Sequence, residues 1–502
     1  MTNVVVGRES STVLSPSTSD RSDGSGRLLD AALLGVLVVS TLIFYRASTH
    51  GTWNPLYQDI RILKPAGTGQ RFFLAQARAI THGRLWVQKA DLNGDCFVHL
   101  GRCYGYFGLT PSVLRLPFLP LLDYYNNGFT PIFVTAGLTL ATGSFLASLR
   151  HLFVRMPLGR TTTVFVALTG MSFGAASVLT QLAPPDVYDE AIVWAVGFLS
   201  LAVFCFIRWW EGPQLKWYLL LLGSLVMAAN ARPTALPFAL IIGLGVGYRL
   251  WRLGRVGPAH WVKTVALGGV MIVLPIATCI GVFLLKFGQP IPSYLLDREV
   301  GGPFATAQWL RIRTIDHDQL TSVRFIPTAL FAYLRPDALA FSRAFPWVGF
   351  RFLGAPPITY IGLPRGSLYT GTVTSLTATM PLSFVAAIGA AAYQMGRRGN
   401  AGVRQLLRSH TVGSQAFWKA IVLVAAVASW GVVLTGVAVQ DRFLGDAYPL
   451  MALVLLLSLP SLARALDRQG RLLKIGAILI VLAGVSWQLL VNIALTWRYP
   501  GG

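Results

Sequence analysis

The chain has 502 residues, of which 54% are hydrophobic and only 12% charged, and its formal net charge is +22. That composition excludes a soluble enzyme and calls for repeated crossings of a hydrocarbon layer about 30 Å thick. The basic excess would suit a nucleic-acid partner, but its distribution along the chain assigns it to membrane topology.

Residues 1–26, rich in Ser, Thr, Gly and Asp, read as a disordered cytoplasmic tail. Residues 27–502 read as one transmembrane domain: an all-α polytopic bundle of about 11 helices. The spans fall near 28–45, 130–149, 161–182, 188–207, 217–231, 234–250, 264–286, 375–395, 416–439, 447–463 and 473–496. The first lies too far into the chain, and lacks a small-residue cleavage site, to be a removable signal peptide. Only the sequence Asn230-Ala231-Arg232-Pro233-Thr234 separates the fifth span from the sixth, so it reads either as a turn between two helices or as a break within one.

With the N-terminus inside, Arg150, Arg160, Arg208, Lys216, Arg249, Arg252, Lys263, Arg404, Arg464, Arg471 and Lys474 all fall on the inner face. The expected location is the cytoplasmic membrane, with the C-terminus outside. The acids lean the other way: Asp59, Asp91, Asp95, Asp123, Asp189, Glu190 and Asp446 map to the outer face. Acids set topology only weakly, so their clustering marks the outer face as the place for acid–base chemistry. Two long outer loops, about 47–129 and 287–374, hold the apolar runs 111–122 and 325–334, which read as helices lying in the membrane interface.

The segment Asp91–Pro117, DLNGDCFVHLGRCYGYFGLTPSVLRLP, is the most informative. It gathers Asp91, Asp95, Arg102, Arg115, Tyr104, Tyr106, Phe107, Gly101, Gly105 and Gly108 beside the bilayer. A plain membrane scaffold has no use for that inventory; chemistry on a polar substrate presented at the surface does. Cys96 and Cys103 flank its centre on the oxidising side, at a spacing that permits a disulfide. A zinc site would need more ligands than His99 adds. Cys205 and Cys279 sit inside spans as apolar fillers.

Several blocks carry a family resemblance. They are FFLAQARAITHGRLWV at 72–87, the Gly94-Asp95-x-Phe97 and Gly101-Arg102-x-Tyr104-x-Tyr106-Phe107-Gly108 pieces, VYDEAIVWA at 187–195, ARPTALPFAL at 231–240, LKFGQPIP at 285–292 and DRFLGDAYPLMAL at 441–453. In their order and topology the chain resembles the GT-C-fold glycosyltransferases, which use polyprenyl-phosphate-linked sugars and include protein mannosyltransferases, lipid A aminoarabinose transferases and actinobacterial arabinofuranosyltransferases. Two departures stand out. The acid pair that many such enzymes carry soon after the first span is replaced by Thr68-Gly69-Gln70, and the late Arg-Tyr is Arg442-Phe443.

The resemblance implies an inverting transfer of a sugar from a polyprenyl-phosphate donor to a lipid, cell-wall polysaccharide or protein acceptor on the outer face. Such a transfer needs a carboxylate base for the acceptor hydroxyl and cations for the departing phosphate. Asp95 is the leading base, with Asp91, Asp189 and Glu190 as rivals. Arg102, Arg232, Lys286 and Arg442 are the phosphate candidates. Asp446 either serves the substrate or caps the tenth span. Tyr104 and Tyr106 either stack on sugar or anchor in the interface. The acting groups Asp95, Glu190, Arg232, Lys286 and Arg442 are expected to converge on one cavity. No compact set of oxygen ligands is visible; metal dependence is neither expected nor excluded, and no other cofactor is implied. Two other classes fit the same features, a transporter or flippase of a lipid-linked sugar and a non-catalytic GT-C-like scaffold.

Overall fold

The computed structural model describes residues 19–49, 51–56, 71–92, 97–125, 128–154, 156, 158–174, 187–253, 258–290, 322–345, 347–350, 369–370, 374–389, 392, 415–436, 438–439 and 444–498. An apolar run in hydrocarbon can satisfy its backbone only by forming a helix. The long elements are therefore helices: α1 (Ser19–Ser48), then, after a loop region, α6 (Thr130–Phe153), α7 (Arg160–Gly174), α8 (Val187–Glu211), α9 (Leu215–Ala231), α10 (Leu236–Leu253) and α11 (Pro258–Phe287). That loop region holds α2 (Phe72–Thr81), α3 (Lys89–Leu92), α4 (Thr110–Val113) and α5 (Leu119–Tyr125). Further on come α12 (Ile326–Leu334), α13 (Leu376–Thr379), a helical stretch over 381–389, α14 (Gln415–Leu434), α15 (Leu444–Asp467) and α16 (Arg471–Arg498). Among the described residues eight helices are long and apolar enough to cross a membrane. At the other three expected spans the described residues hold the shorter helices α7 and α9 and the two helical stretches 376–379 and 381–389, none of which reaches spanning length. The chain is an all-α, multi-pass membrane protein. Its first helix begins at Ser19, inside the stretch expected to be a tail, and residues 1–18 lie outside the described residues.

Arg232 settles the ambiguous fifth and sixth spans. It is extended (φ −150°, ψ 121°), as a residue before proline prefers, so α9 ends at Ala231 and α10 returns as a separate helix. The helices meet closely where glycines allow it. A Cβ on Gly197 of α8 would come within 2.8 Å of the Gly137 carbonyl of α6, so these two helices pack nearly backbone to backbone. Around that contact a continuous core forms from Val134, Leu138, Phe145, Val196 and Phe206.

Helix order and contacts define two ends. Ser48 of α1 bonds to Pro131 and Thr135 of α6, and Ser429 of α14 donates to the Thr234 carbonyl at 2.7 Å, so these termini share the end that the 71–125 loop covers. Arg150, Arg208, Lys216, Arg249, Arg464 and Lys474 stand at the opposite helix ends. The molecule thus has a loop end and a basic end. Small sheets decorate the loop end: β1 (Phe97–His99) with β2 (Arg102–Tyr104), β3 (Leu339–Phe341) with β4 (Val348–Phe350), and β5 (Tyr369–Thr370) parallel to β6 (Ala438–Val439). The apolar runs at 111–122 and 325–334 are helical as expected, and Phe118, Leu121 and Tyr124 stand exposed along the first of them.

The two ends make topology testable. Leu100, at the tip of the β1–β2 hairpin, is 84% exposed, and Leu472, at the start of α16, is 85% exposed. With an impermeant thiol reagent on intact cells, Leu100→Cys is expected to label and Leu472→Cys to stay unlabelled. The reverse pattern would turn the molecule over.

Candidate functional site

The segment read as most informative is seated on the helix ends, and each seat has an identifiable cause. The β1–β2 hairpin turns through Leu100 (φ 51°) and Gly101 (φ 71°), two consecutive left-handed residues, as a tight two-residue loop requires. Behind it, Val87 pairs with Cys103. Cys103 is disulfide-bonded, and Cys205 and Cys279 are free thiols. Its expected partner, Cys96, lies outside the described residues.

The Gly105–Gly108 stretch then lies flat on the bundle. A Cβ on Gly108 would overlap the Asn230 carbonyl at the end of α9, and one on Gly105 would overlap the Phe72 ring. Lys286, in the last turn of α11 and wholly buried, fixes this stretch by donating from Nζ to the carbonyls of Gly105 (3.0 Å) and Phe107 (2.6 Å). A cation at a helix C-terminus is also favoured by the helix dipole. Thr110 Oγ1 adds a bond to the Met227 carbonyl at 2.7 Å, and Ser112 Oγ donates to Gln76 Oε1 at 2.6 Å. Gly108→Ala is expected to cost about 1–3 kcal/mol, because a backbone carbonyl cannot move aside. Gly281→Ala, where an added Cβ meets nothing within 4 Å, should be near neutral. Thermal unfolding of the two variants in detergent separates them.

Glu190 stands in the first turn of α8, 1% exposed, with both carboxylate oxygens on the guanidinium of fully buried Arg115. Arg115 Nη2 donates to Oε2 at 2.9 Å, Nη1 donates to Oε1, and its guanidinium carbon lies 4.1 Å from the centre of the Phe133 ring. Arg115 also donates to the carbonyls of Pro111 and Gly128. The pair ties the loop helices around Arg115 to α8. Arg232 and Asp446 form a second pair, 2.8 Å apart, with Thr234 bridging them, and this joins the α9–α10 turn to the start of α15.

The remaining candidates are placed as follows. Asp91 Oδ2 accepts from the Gln88 N–H at 3.1 Å. Burial holds its carboxyl above the usual carboxylate range, against the opposing pull of the Gln88 N–H and the charges of Arg78 and Arg71. Asp189 is partly exposed beside Glu190. Tyr104 is buried against Phe287, with ring centres 5.6 Å apart. Tyr106 is half-buried, stacked on Phe107 at 4.3 Å and close to Tyr188. Arg102 and Arg84 are exposed and flank the Trp86 ring, at 5.8 and 5.0 Å from its centre. Asp95 and Arg442 lie outside the described residues. Of the five groups expected to converge, Glu190, Arg232 and Lys286 do share the loop end, and each is held by its own partner. Among the described residues no group of three or more His, Cys, Asp and Glu is gathered as a metal site would need.

Sequence reading counted Arg115 in the segment's inventory but assigned it no role or partner, although it is a lone charge in the apolar run PSVLRLPF and a buried charge needs a partner. It passed over Arg84 and Trp86, for which the Gly-Arg-Leu-Trp spacing offered no signal of stacking.

No protein-family model matches the sequence, and no curated protein matches it. Solved structures do. The oligosaccharyltransferase of Archaeoglobus fulgidus in its apo form superposes with a TM-score of 0.52 at 17% identity, over 94% of this chain and 56% of that one. The same protein tethered to an acceptor peptide with an NVT sequon gives 0.51 at 14%, over 94% and 55%. The archaeal oligosaccharyltransferase bound to an inhibitory peptide and a dolichol-phosphate gives 0.50 at 13%, over 94% and 56%. This chain therefore spans just over half the length of those proteins. Its fold is the GT-C fold that the archaeal oligosaccharyltransferase shares.

Proposed function

We propose that the chain is a membrane glycosyltransferase. It transfers a sugar from a polyprenyl-phosphate donor to a lipid, cell-wall polysaccharide or protein acceptor at the loop end, on the outer face of the cytoplasmic membrane. The observation that carries this reading is the seating of the Gly101–Pro117 segment on the ends of α8, α9 and α11, in a chain with the GT-C fold. Dolichol-phosphate and an acceptor peptide bind the archaeal neighbour, and a polyprenyl phosphate belongs to the same chemical class as the first of these.

The step is a single displacement. A carboxylate takes the acceptor hydroxyl proton, the oxygen attacks the anomeric carbon, the carbon–oxygen bond to the phosphate breaks, and the polyprenyl phosphate leaves with the electron pair, inverting the centre. Asp95 is the base of choice. Asp91, four residues earlier and biased by burial toward holding a proton, is its neighbour in the same segment. To Arg102 and Arg84, both held against Trp86, we assign the phosphate oxygens, and to Tyr106 the contact with the sugar ring. Glu190 and Lys286 we assign to holding the loop, because Glu190 is paired with Arg115 and Lys286 Nζ already donates to two backbone carbonyls of the loop.

A polyprenyl-phosphate sugar carrying a diazirine on the sugar tests the location. Cross-links should map to 71–118 and the first turn of α8. Cross-links confined to the basic end would overturn this reading.

A further inference from the structure

Beside α16 the β3–β4 hairpin carries three bare aromatic rings. Phe341, Phe345 and Trp347 are 67%, 57% and 53% exposed, and the last two meet edge to face at 5.1 Å. The other side of the hairpin is seated. Val348, 2% exposed, packs with Val491, Ala494 and Leu495 of α16, and Leu339 lies against the same cluster. Phe341, next to the turn, comes within 6.3 Å of the Trp487 ring, nearer the middle of that helix. The turn is therefore on the membrane side of the hairpin.

The helix supplies the depth. Lys474 is the last charge at the basic end of α16, and about 20 residues of helix from there bring the far edge of the hydrocarbon to near Ala494. At about 1.5 Å per residue, Trp487 lies about 10 Å inside that edge. Leu479, Ile480, Leu482 and Leu490 stand exposed along the same helix, which is long and apolar enough to cross a membrane, so this surface meets acyl chains. The hairpin rings continue it through Trp487. The turn also suits lipid, where backbone groups must be met from within. The Ser342 N–H donates to the Trp347 carbonyl at 2.8 Å, the Trp347 N–H donates to the Ala344 carbonyl at 2.8 Å, and Ser342 Oγ donates to that carbonyl at 2.9 Å. Trp347 has a left-handed backbone (φ 64°), where glycine would be unstrained. A turn in water gains nothing from an indole there, whereas a membrane interface favours one. Arg343, exposed in the same turn, is long enough to return its charge to the phosphates. We propose that the β3–β4 hairpin inserts the rings of Phe341, Phe345 and Trp347 into the membrane leaflet at the loop end, with its strands and Arg343 at headgroup level. This lipid contact is independent of the transfer chemistry.

The test attaches the environment-sensitive dye NBD to Phe345→Cys in the full chain, in nanodiscs whose phosphatidylcholine carries a nitroxide high on its acyl chain. Cys205 and Cys279 are buried, and the unsubstituted protein is the labelling blank. The emission should shift to the blue and be quenched by the nitroxide lipid. The same dye on Leu100→Cys, at the exposed β1–β2 turn, should show neither effect. Should Phe345→Cys misfold, Phe341→Cys carries the same expectation. Emission like that at Leu100, with no quenching, would leave the hairpin in water and overturn the proposal. Equal quenching at both sites would overturn it by assigning the insertion to the dye. A blue-shifted label that the nitroxide lipid does not quench would overturn it by placing a second copy of the chain over the rings.

Discussion

Asp95→Asn is expected to lower sugar transfer by about 10²–10⁴-fold, the usual contribution of a positioned acid–base group, while insertion and folding persist. The substitution is nearly isosteric, so little packing is lost. An amide, however, cannot accept the acceptor's proton. Two controls share the segment or its support. Asp91→Asn keeps an oxygen for the Gln88 N–H and should retain most of the activity. Glu190→Gln should lose activity only in proportion to the protein that fails to fold. If Asp95→Asn is normal and Asp91→Asn is inactive, the base is Asp91. If both are normal, the chain lacks a carboxylate base in this segment, and the scaffold reading gains.

Arg115→Met is expected to destabilise the protein by about 3–5 kcal/mol, because it leaves the Glu190 carboxylate buried and unpaired. Four features of Arg115 disappear together: the bidentate pair, the bonds to Pro111 and Gly128, and the stacking on Phe133. The double variant Arg115→Met with Glu190→Gln removes both charges and should recover a large part of that loss, since an uncharged pair no longer suffers the desolvation of a lone ion. Chemical denaturation in detergent reads both. A single variant as stable as the wild type would mean that the pair does not hold the loop. Sugar transfer by the refolded double variant distinguishes support from catalysis, because a supporting pair tolerates the neutral double replacement and a base does not.

Much of the fold was legible in the chain. Apolar runs of membrane length must be helical, and the pre-proline Arg232 marks the break between α9 and α10. The loop helices at 111–122 and 325–334 were visible as apolar runs in otherwise polar loops. The partners of the charged candidates were not legible. Glu190 meets Arg115 across 75 positions, and Asp446 reaches Thr234 across 212, distances that only the packed bundle brings together. A lone charge in an apolar stretch announces that a partner exists but not which residue it is. Lys286 looked like a phosphate ligand for the same reason, and the structure gives it to two backbone carbonyls. Gly105 and Gly108 stood out in the sequence only as members of the segment's inventory. Their requirement comes from Phe72 and Asn230, which lie elsewhere in the chain.

The most direct measurement is the fate of a polyprenyl-phosphate sugar offered to the purified protein in lipid nanodiscs with a cell-envelope acceptor. The account predicts that each sugar leaving the lipid appears on the acceptor with inverted anomeric configuration, and that one polyprenyl phosphate is released for each sugar transferred. A donor that stays intact, with no polyprenyl phosphate released, would contradict it.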